Sequence, residues 1–411
     1  MNCRHCNTKL LHTFLDLGFA PPSNAYLTIE DLPKTEKSYP LKIMVCDKCW
    51  LVQTLDFLDA DQLFTSEYSY FSSTSSSWLD HSKSYVDKVC SMLALDEQSQ
   101  VLEVASNDGY LLKNFVERNI PCLGIEPTDS TANAAEELGI PVVRKFFDEE
   151  FAKYLASKDL IADLIVGNNV YAHVPDINDF TRGLKIALKP SGTITLEFPH
   201  LMRLIEHGQF DTIYHEHYSY LSLYTSSRVL ANNGLRVYNV EELTTHGGSL
   251  RIYACHQDDE RQTHESVEQL LIREEEFGLK DLAVFKNFKS KVEKIKSDLL
   301  SFLIEQRKSG KSVVGYGAAA KGNTLLNYAG VKTDLLKYVV DASASKWNKY
   351  LPGSQIPIYD IEILRREEID YLLILPWNIK EEVILQNSFL LDSETKFCVA
   401  IPHFHFCKTE Q

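Results

Sequence analysis

Short apolar runs separated by helical spacings dominate the middle of this chain. Val101–Val104, Leu123–Ile125, Leu164–Val166 and Thr193–Leu196 each read as a buried strand, with amphipathic stretches between them. Such βαβα alternation predicts a mostly parallel sheet. Two further strand-like runs, Leu235–Val240 and Ser249–Tyr253, flank a loop containing Gly247 and Gly248. From about 264 to 308 the pattern turns helical. Phe285, Phe288, Val292, Ile295, Leu299 and Phe302 make one apolar seam on a long helix that ends near Gly310. A seam of this kind packs on its own protein more often than it pairs with a second chain. Ser312–Gly315, Lys337–Asp341 and Tyr371–Leu375 then repeat the strand pattern, whereas residues 1 to about 70 show little periodicity. The expected organisation is α/β, with blocks over 1–70 and 71–263, a connecting helix over 264–308 and a second α/β unit over 309–411.

The length of 411 residues fits several domains, and 44% hydrophobic residues suffice for real cores. Lys plus Arg number 42 against 57 Asp plus Glu, a net charge of −15. That balance argues against a chain-wide nucleic-acid or membrane footprint, since both need basic stripes. An anionic small ligand needs only a local cluster of donors and stays open. No apolar run reaches the roughly 18–20 residues of a membrane span, and the first thirty residues lack the apolar stretch of a signal peptide. A monomer in the cytoplasm is the expectation.

Four of the nine cysteines fall in two pairs, Cys3-x2-Cys6 and Cys46-x2-Cys49. Each such turn places two sulfurs on one side of a metal, and four thiolates complete a tetrahedral zinc shell with no open position. The site is therefore expected to be structural. A redox pair needs a thioredoxin-like βαβ context, which is absent here. His5 and His12 lie nearby as spare donors rather than ligands.

Val101-Leu-Glu-Val-Ala-Ser-Asn-Asp-Gly109 is a strand running into a turn and then a helix. At that junction a cofactor can lie against backbone N–H groups at the carboxyl edge of the sheet. Ala105 and Ser106 stand where the dinucleotide fingerprint has glycines. About twenty residues on, Glu126 ends a second strand, where a carboxylate suits the ribose hydroxyls of an adenosine ligand. Asn168 and Asn169 end the next strand. Spacing alone does not separate S-adenosylmethionine from a nicotinamide dinucleotide.

Two segments carry proton-transfer groups. Tyr214-His-Glu-His217 is followed by Tyr218 and Tyr220, and His173 comes just after a strand. Glu216 and its flanking histidines cannot all face one ion on a regular element. General acid–base chemistry is favoured over metal ligation or a structural His/Tyr network.

These residues, with Glu197-Phe-Pro-His200, the loop His246-Gly-Gly-Ser-Leu-Arg251, Tyr68-Ser-Tyr-Phe-Ser-Ser and Tyr316-Gly-Ala-Ala-Ala-Lys-Gly322, resemble the sugar C-methyltransferase family nearly end to end. Its members methylate carbon on thymidine-diphosphate keto-sugars. The resemblance implies an N-terminal zinc-binding module, a central Rossmann-like class I methyltransferase domain and a C-terminal Rossmann-like α/β domain without a second redox cofactor. It implies zinc on Cys3, Cys6, Cys46 and Cys49. S-adenosylmethionine is implied at Glu103, Ala105, Asn107, Asp108, Gly109, Glu126 and Asn168. His217 matches the general base, with Tyr214 and Glu216 beside it to orient the imidazole. Tyr68, His173 and Asn169 fall to the sugar. The family shows the same Ala-Ser pair in the cofactor turn.

Gly315-Tyr-Gly-Ala-Ala-Ala-Lys-Gly322 follows a strand and opens a helix, but its glycine spacing is two residues too long for the dinucleotide fingerprint. We expect Lys321 and nearby N–H groups to receive a substrate pyrophosphate. A structural duplicate or a site for another nucleotide are the alternatives. The expected activity is methyl transfer from S-adenosylmethionine to the carbon next to the ketone, C3 or C5, of a nucleotide-linked 4-keto-deoxysugar. An O-methyltransferase is the runner-up, and a nicotinamide oxidoreductase or epimerase lacks its glycine fingerprint.

Overall fold

The computed structural model describes residues 1–57 and 71–408. Tyr68, expected at the sugar, lies outside the described residues. The chain opens on three antiparallel strands, β1 (His12–Ala20), β2 (Tyr39–Val45) and β3 (Val52–Thr54). Register shifts in β1 and a left-handed Gly18 break the two-residue alternation, which hid these strands from the sequence pattern.

The helix Ser76–Leu93 leads into the central sheet. Its strands are β4 (Val101–Val104), β5 (Cys122–Ile125), β6 (Val142–Val143), β7 (Ala162–Asn168) and β8 (Leu188–Pro199). The short β9 (Ser219–Tyr220) leaves this sheet and pairs with β3, making the N-terminal sheet four-stranded. β10 (Leu235–Leu243) and β11 (Ser249–His256) return as a hairpin, giving the order β10-β11-β8-β7-β4-β5-β6. All central pairings are parallel except the two made by β11. Strand order reverses between β4 and β7, and ligand crevices form at such a point.

The 264–308 stretch differs from expectation by one break. Helices Glu265–Phe277 and Leu282–Lys308 are separated at Gly278, which takes a left-handed φ of 96° and stops the first. Asp281 then caps the second by accepting from the Ala283 N–H. The seam from Phe285 to Phe302 is buried within this one chain. It joins Phe14 and Leu15 of β1 to the C-terminal sheet in a continuous core. At roughly 1.5–3 kcal/mol per buried large side chain, the seam contributes substantially to holding the first and last units together.

The C-terminal sheet contains β12 (Val313–Tyr316), β13 (Val339–Asp341), β14 (Ile358–Asp360), β15 (Tyr371–Ile374), β16 (Lys396–Val399) and β17 (His405–Phe406). The order is β14-β13-β12-β15-β16-β17, with only β17 antiparallel. Its strand order reverses between β12 and β15. Among the described residues, no helix is long and apolar enough to cross a membrane.

Candidate active site and metal centre

The four cysteine sulfurs lie within 4.8 Å of one another, with Cys3 to Cys49 and Cys6 to Cys46 each at 3.5 Å. Each knuckle closes on the residue after its second cysteine: Asn7 N–H donates to the Cys3 carbonyl and Trp50 N–H to the Cys46 carbonyl. Asn7 and Trp50 both sit at left-handed φ. Gln53 Nε2 donates to Cys3 Sγ at 3.2 Å, the kind of outer contact that fixes a thiolate ligand. Four convergent thiols of this spacing fit a closed tetrahedral zinc centre. The nearby imidazoles are engaged elsewhere: His5 lies between Asn178 and Asn232, and His12 near Asp47.

At the carboxyl edge of β4, β5 and β7 a cleft of about 390 Å³ opens. Ala105, Asn107, Glu126, Asn168, Asn169 and His173 line it. The turn after β4 is a run of left-handed residues, with φ of 58° at Ala105, 50° at Asn107 and 76° at Gly109. A non-glycine residue held there stores of order 1 kcal/mol. It lets backbone approach a ligand where the fingerprint would use glycine. Glu126 follows the last residue of β5 and accepts from Asn107 N–H at 2.9 Å and from Thr128 N–H at 3.0 Å, so its buried carboxylate ties the ends of β4 and β5 together. The Asn168 amide, buried against the cleft, has neither its oxygen nor its nitrogen bonded among the described residues. That leaves a donor and an acceptor for a ligand.

The other expected cofactor residues stand back from the cleft. Glu103 is wholly buried beneath the turn, and burial pushes its pKa well above the ordinary carboxylate range against a hydrogen bond from Tyr110. Asp108 accepts from Ser73 N–H, joining the turn to the segment before the first helix. Gly109, at a left-handed φ, faces Ile140 and Ala135 so closely that a Cβ there would sit 2.4 Å from Ile140 Cδ1 and 3.1 Å from Ala135 Cβ. Sequence reasoning missed Trp78, Tyr110 and the loop Phe146-Phe147-Asp148, all of which line the same cleft. The aromatic-aromatic-acid run after β6 was the available signal.

His173 connects the cleft to the expected base. Its ring meets that of His217 edge-on with centroids 4.6 Å apart, and Tyr214 also packs on His217, with centroids 4.0 Å apart. His217 is 8% exposed, and its Nδ1 lies 2.8 Å from the Thr212 carbonyl oxygen. A carbonyl only accepts, so Nδ1 carries the proton and the lone pair resides on Nε2. Burial first, and the neighbouring His173 second, push the His217 pKa well below that of free imidazole, so the ring is neutral at pH 7. Burial likewise lowers His173 to about 4. The orienting group thus differs from expectation: successive residues face apart, and the Glu216 carboxylate accepts from Asn24 of the N-terminal unit at 2.7 Å while Thr212 holds the imidazole.

All three units grip this segment. Thr54 N–H donates to the Tyr218 carbonyl and Thr54 Oγ1 to the His217 carbonyl. From the other side, Thr324 Oγ1 donates to the Ile213 carbonyl at 2.9 Å. Lys321 stands at the start of the helix Ala320–Ala329, its Nζ 2.9 Å from Asn378 Oδ1 and over the Trp377 ring. Burial lowers its pKa, an effect Asp211 opposes. Its charge is felt by both His217 and His246. Asp341, at the end of β13, is turned inward: it accepts from Ala318 N–H and from Lys346 Nζ.

The His246 loop backs the cleft through Asn169, with Asn169 Nδ2 and His246 Nε2 3.1 Å apart. Arg251 and His81 bond the buried Glu197, a pairing that holds that carboxyl down at about 2 despite burial. His200 pairs with the equally buried Glu274, which also accepts from the N–H groups of Leu223 and Tyr224. These parts of the quoted motifs are structural.

Three family models match in series: "Putative zinc binding domain" over residues 3–64, "Methyltransferase domain" over 78–240 and "C-methyltransferase C-terminal domain" over 244–402. C-methyltransferase NovU of Streptomyces niveus is 30% identical over 400 residues, covering 97% of this chain and 95% of that protein. The chain belongs to the C-methyltransferase family. As a member it is a C-methyltransferase dependent on S-adenosylmethionine, with a zinc-binding N-terminal unit. Among solved structures, a SAM-dependent methyltransferase from Archaeoglobus fulgidus aligns with TM-score 0.35 and 18% identity, covering 40% of this chain and 72% of that one. Magnesium protoporphyrin IX methyltransferase from Synechocystis aligns with TM-score 0.32 and 12% identity, over 42% and 79% of the two chains.

Proposed function

We propose that this C-methyltransferase acts on the carbon next to the ketone of a nucleotide-linked 4-keto-deoxysugar, with His217 as the base. The observation that carries the reading is the Thr212 carbonyl on His217 Nδ1, which leaves a neutral Nε2 lone pair in a buried site. Bound S-adenosylmethionine supplies an electrophilic methyl group. Ala105, Asn107, Glu126 and Asn168 hold it in the cleft, with Glu126 on the ribose hydroxyls. His217 Nε2 takes the proton from the acidified carbon, and the electron pair moves toward the ketone oxygen. Tyr68, by resemblance, donates a hydrogen bond to that oxygen, a contribution of about 3–4 kcal/mol in comparable sites, while His173, whose one N–H is held by the Glu216 carbonyl, borders the sugar. Tyr214 packs on the imidazole and limits its rotation, and Asn169 reaches the sugar.

Lys321 supplies charge for the pyrophosphate. It rises from the carboxyl edge of β12, beside the β12–β15 reversal, at a helix N-terminus. Asp341, the acid a second nucleotide would use, is committed to Ala318 and Lys346, which favours this role over another cofactor. The test is incubation with methyl-labelled S-adenosylmethionine and a panel of nucleotide 4-keto-6-deoxysugars, with the product examined by carbon NMR. A methyl group on ring carbon supports the reading, and one on oxygen refutes it.

A further inference from the structure

Trp377 is the first residue of the turn after β15, on the C-terminal sheet. Its indole Nε1 donates to Asp211 Oδ2 at 2.7 Å. Asp211 is buried, and this indole is the side-chain donor to its carboxylate, which the backbone N–H groups of Asp211 and Thr212 also hold. Asp211 belongs to the turn Phe210–Thr212, whose last carbonyl fixes His217. The far edge of the same indole packs on Gly247: a Cβ there would sit 2.2 Å from Trp377 Cη2. Gly247 follows His246 in the hairpin loop between β10 and β11, and its carbonyl accepts from Gln209 Nε2 at 2.7 Å.

One side chain of the C-terminal unit therefore touches the two loops that carry His217's anchor and His246. We infer that Trp377 is a positioning residue for proton abstraction, holding the Phe210–Thr212 turn through Asp211 so that His217 presents Nε2 to the substrate. The inference rests on the reading of His217 as the base. It gives the C-terminal unit a part in the chemical step besides substrate binding. No smaller residue fills both places, because the N–H on one edge and the benzo edge against Gly247 lie at opposite ends of a rigid plane. Loss of the tie frees the carbonyl at 212 and lets the imidazole rotate, and misplacement of about 1 Å in such a constellation costs on the order of 100-fold.

The test uses full-length protein saturated with S-adenosylhomocysteine and the keto-sugar that the wild type methylates, in D2O, and follows loss of the α-hydrogen by NMR. Trp377→Phe keeps a ring and removes the N–H; its exchange rate and kcat should fall about 10- to 100-fold, with the S-adenosylmethionine Km within about twofold. Asp211→Ala should fall as far, and the double variant no further than either single one. Asp211→Asn retains an oxygen for the indole and should recover most of the exchange, which a role for the charge itself would not allow. Circular dichroism and Tm establish that each variant is folded. Should Trp377→Phe fail to fold, the Ala and Asn variants of Asp211 carry the comparison. Folded Trp377→Phe exchanging at the wild-type rate overturns the inference alone, as does Asp211→Asn failing like Asp211→Ala. Absence of exchange in the wild type overturns the reading of His217 and this inference with it.

Discussion

The rings of His173 and His217 meet edge-on at 4.6 Å, one lining the cofactor cleft and the other anchored by the Thr212 carbonyl. This contact spans the short gap between the cofactor cleft and the proposed base.

Burial of these imidazoles sets a pH dependence. His217 lies well below the ordinary imidazole value, and His173 and His246 each fall to about 4. The base form of His217 therefore persists through mild acid, and the acid limb of kcat/KM is expected below pH 6.5. For stability the sign is the same. Unfolded imidazoles take protons near pH 6.5 while folded His173 and His246 refuse them until about 4, so stability falls as pH drops through that window, by roughly 3 kcal/mol for each of these two. Asp211, raised to about 6 by burial, partly offsets this by binding its proton earlier in the folded state. Denaturant titrations from pH 8 to 4.5 check the slope; unchanged stability would contradict it.

Glu126→Ala removes the acceptor for two backbone N–H groups and, on our reading, for the ribose. Losing charge-assisted bonds of about 1.5–3 kcal/mol should weaken S-adenosylhomocysteine binding about 10- to 100-fold by calorimetry, with a much smaller change in kcat at saturation.

Zinc should be present at one ion per chain. Cys46→Ser should abolish the stoichiometry and lower Tm, because ligand-set free energy is folding free energy. Destabilisation should reach the His217 segment, since β3 of the zinc unit holds it through Thr54. Hydrogen exchange at residues 217–220 reads this out.

Much of this was legible in the chain, for reasons that differ by region. The cysteine pairs and the run Val101–Gly109 were readable because ligand spacing and the strand-turn-helix junction are local. The seam from Phe285 to Phe302 was readable because its period is strict. By contrast, β1 was masked by its bulges, and Gly278 broke a helix that periodicity carried through. The anchor of His217 was not legible. Glu216 is adjacent in sequence, yet the carbonyl of Thr212, five residues back, does the work because the chain turns there. Trp377 carries no motif, and its place beside Asp211 follows only from the docking of the C-terminal sheet.

Lys321→Ala separates the two ligands. If its ammonium receives the pyrophosphate, the nucleotide-sugar Km should rise by about 10- to 100-fold while the S-adenosylmethionine Km stays within about twofold. Equal effects on both would refute the assignment.

The most direct measurement compares wild type with His217→Ala and His217→Asn, each bound to S-adenosylhomocysteine, for exchange of the substrate's α-hydrogen in D2O. The account predicts exchange in the wild type and a loss of at least about 100-fold in both variants, with binding of both ligands retained. Variants that bind both ligands and still exchange and turn over at the wild-type rate would contradict it.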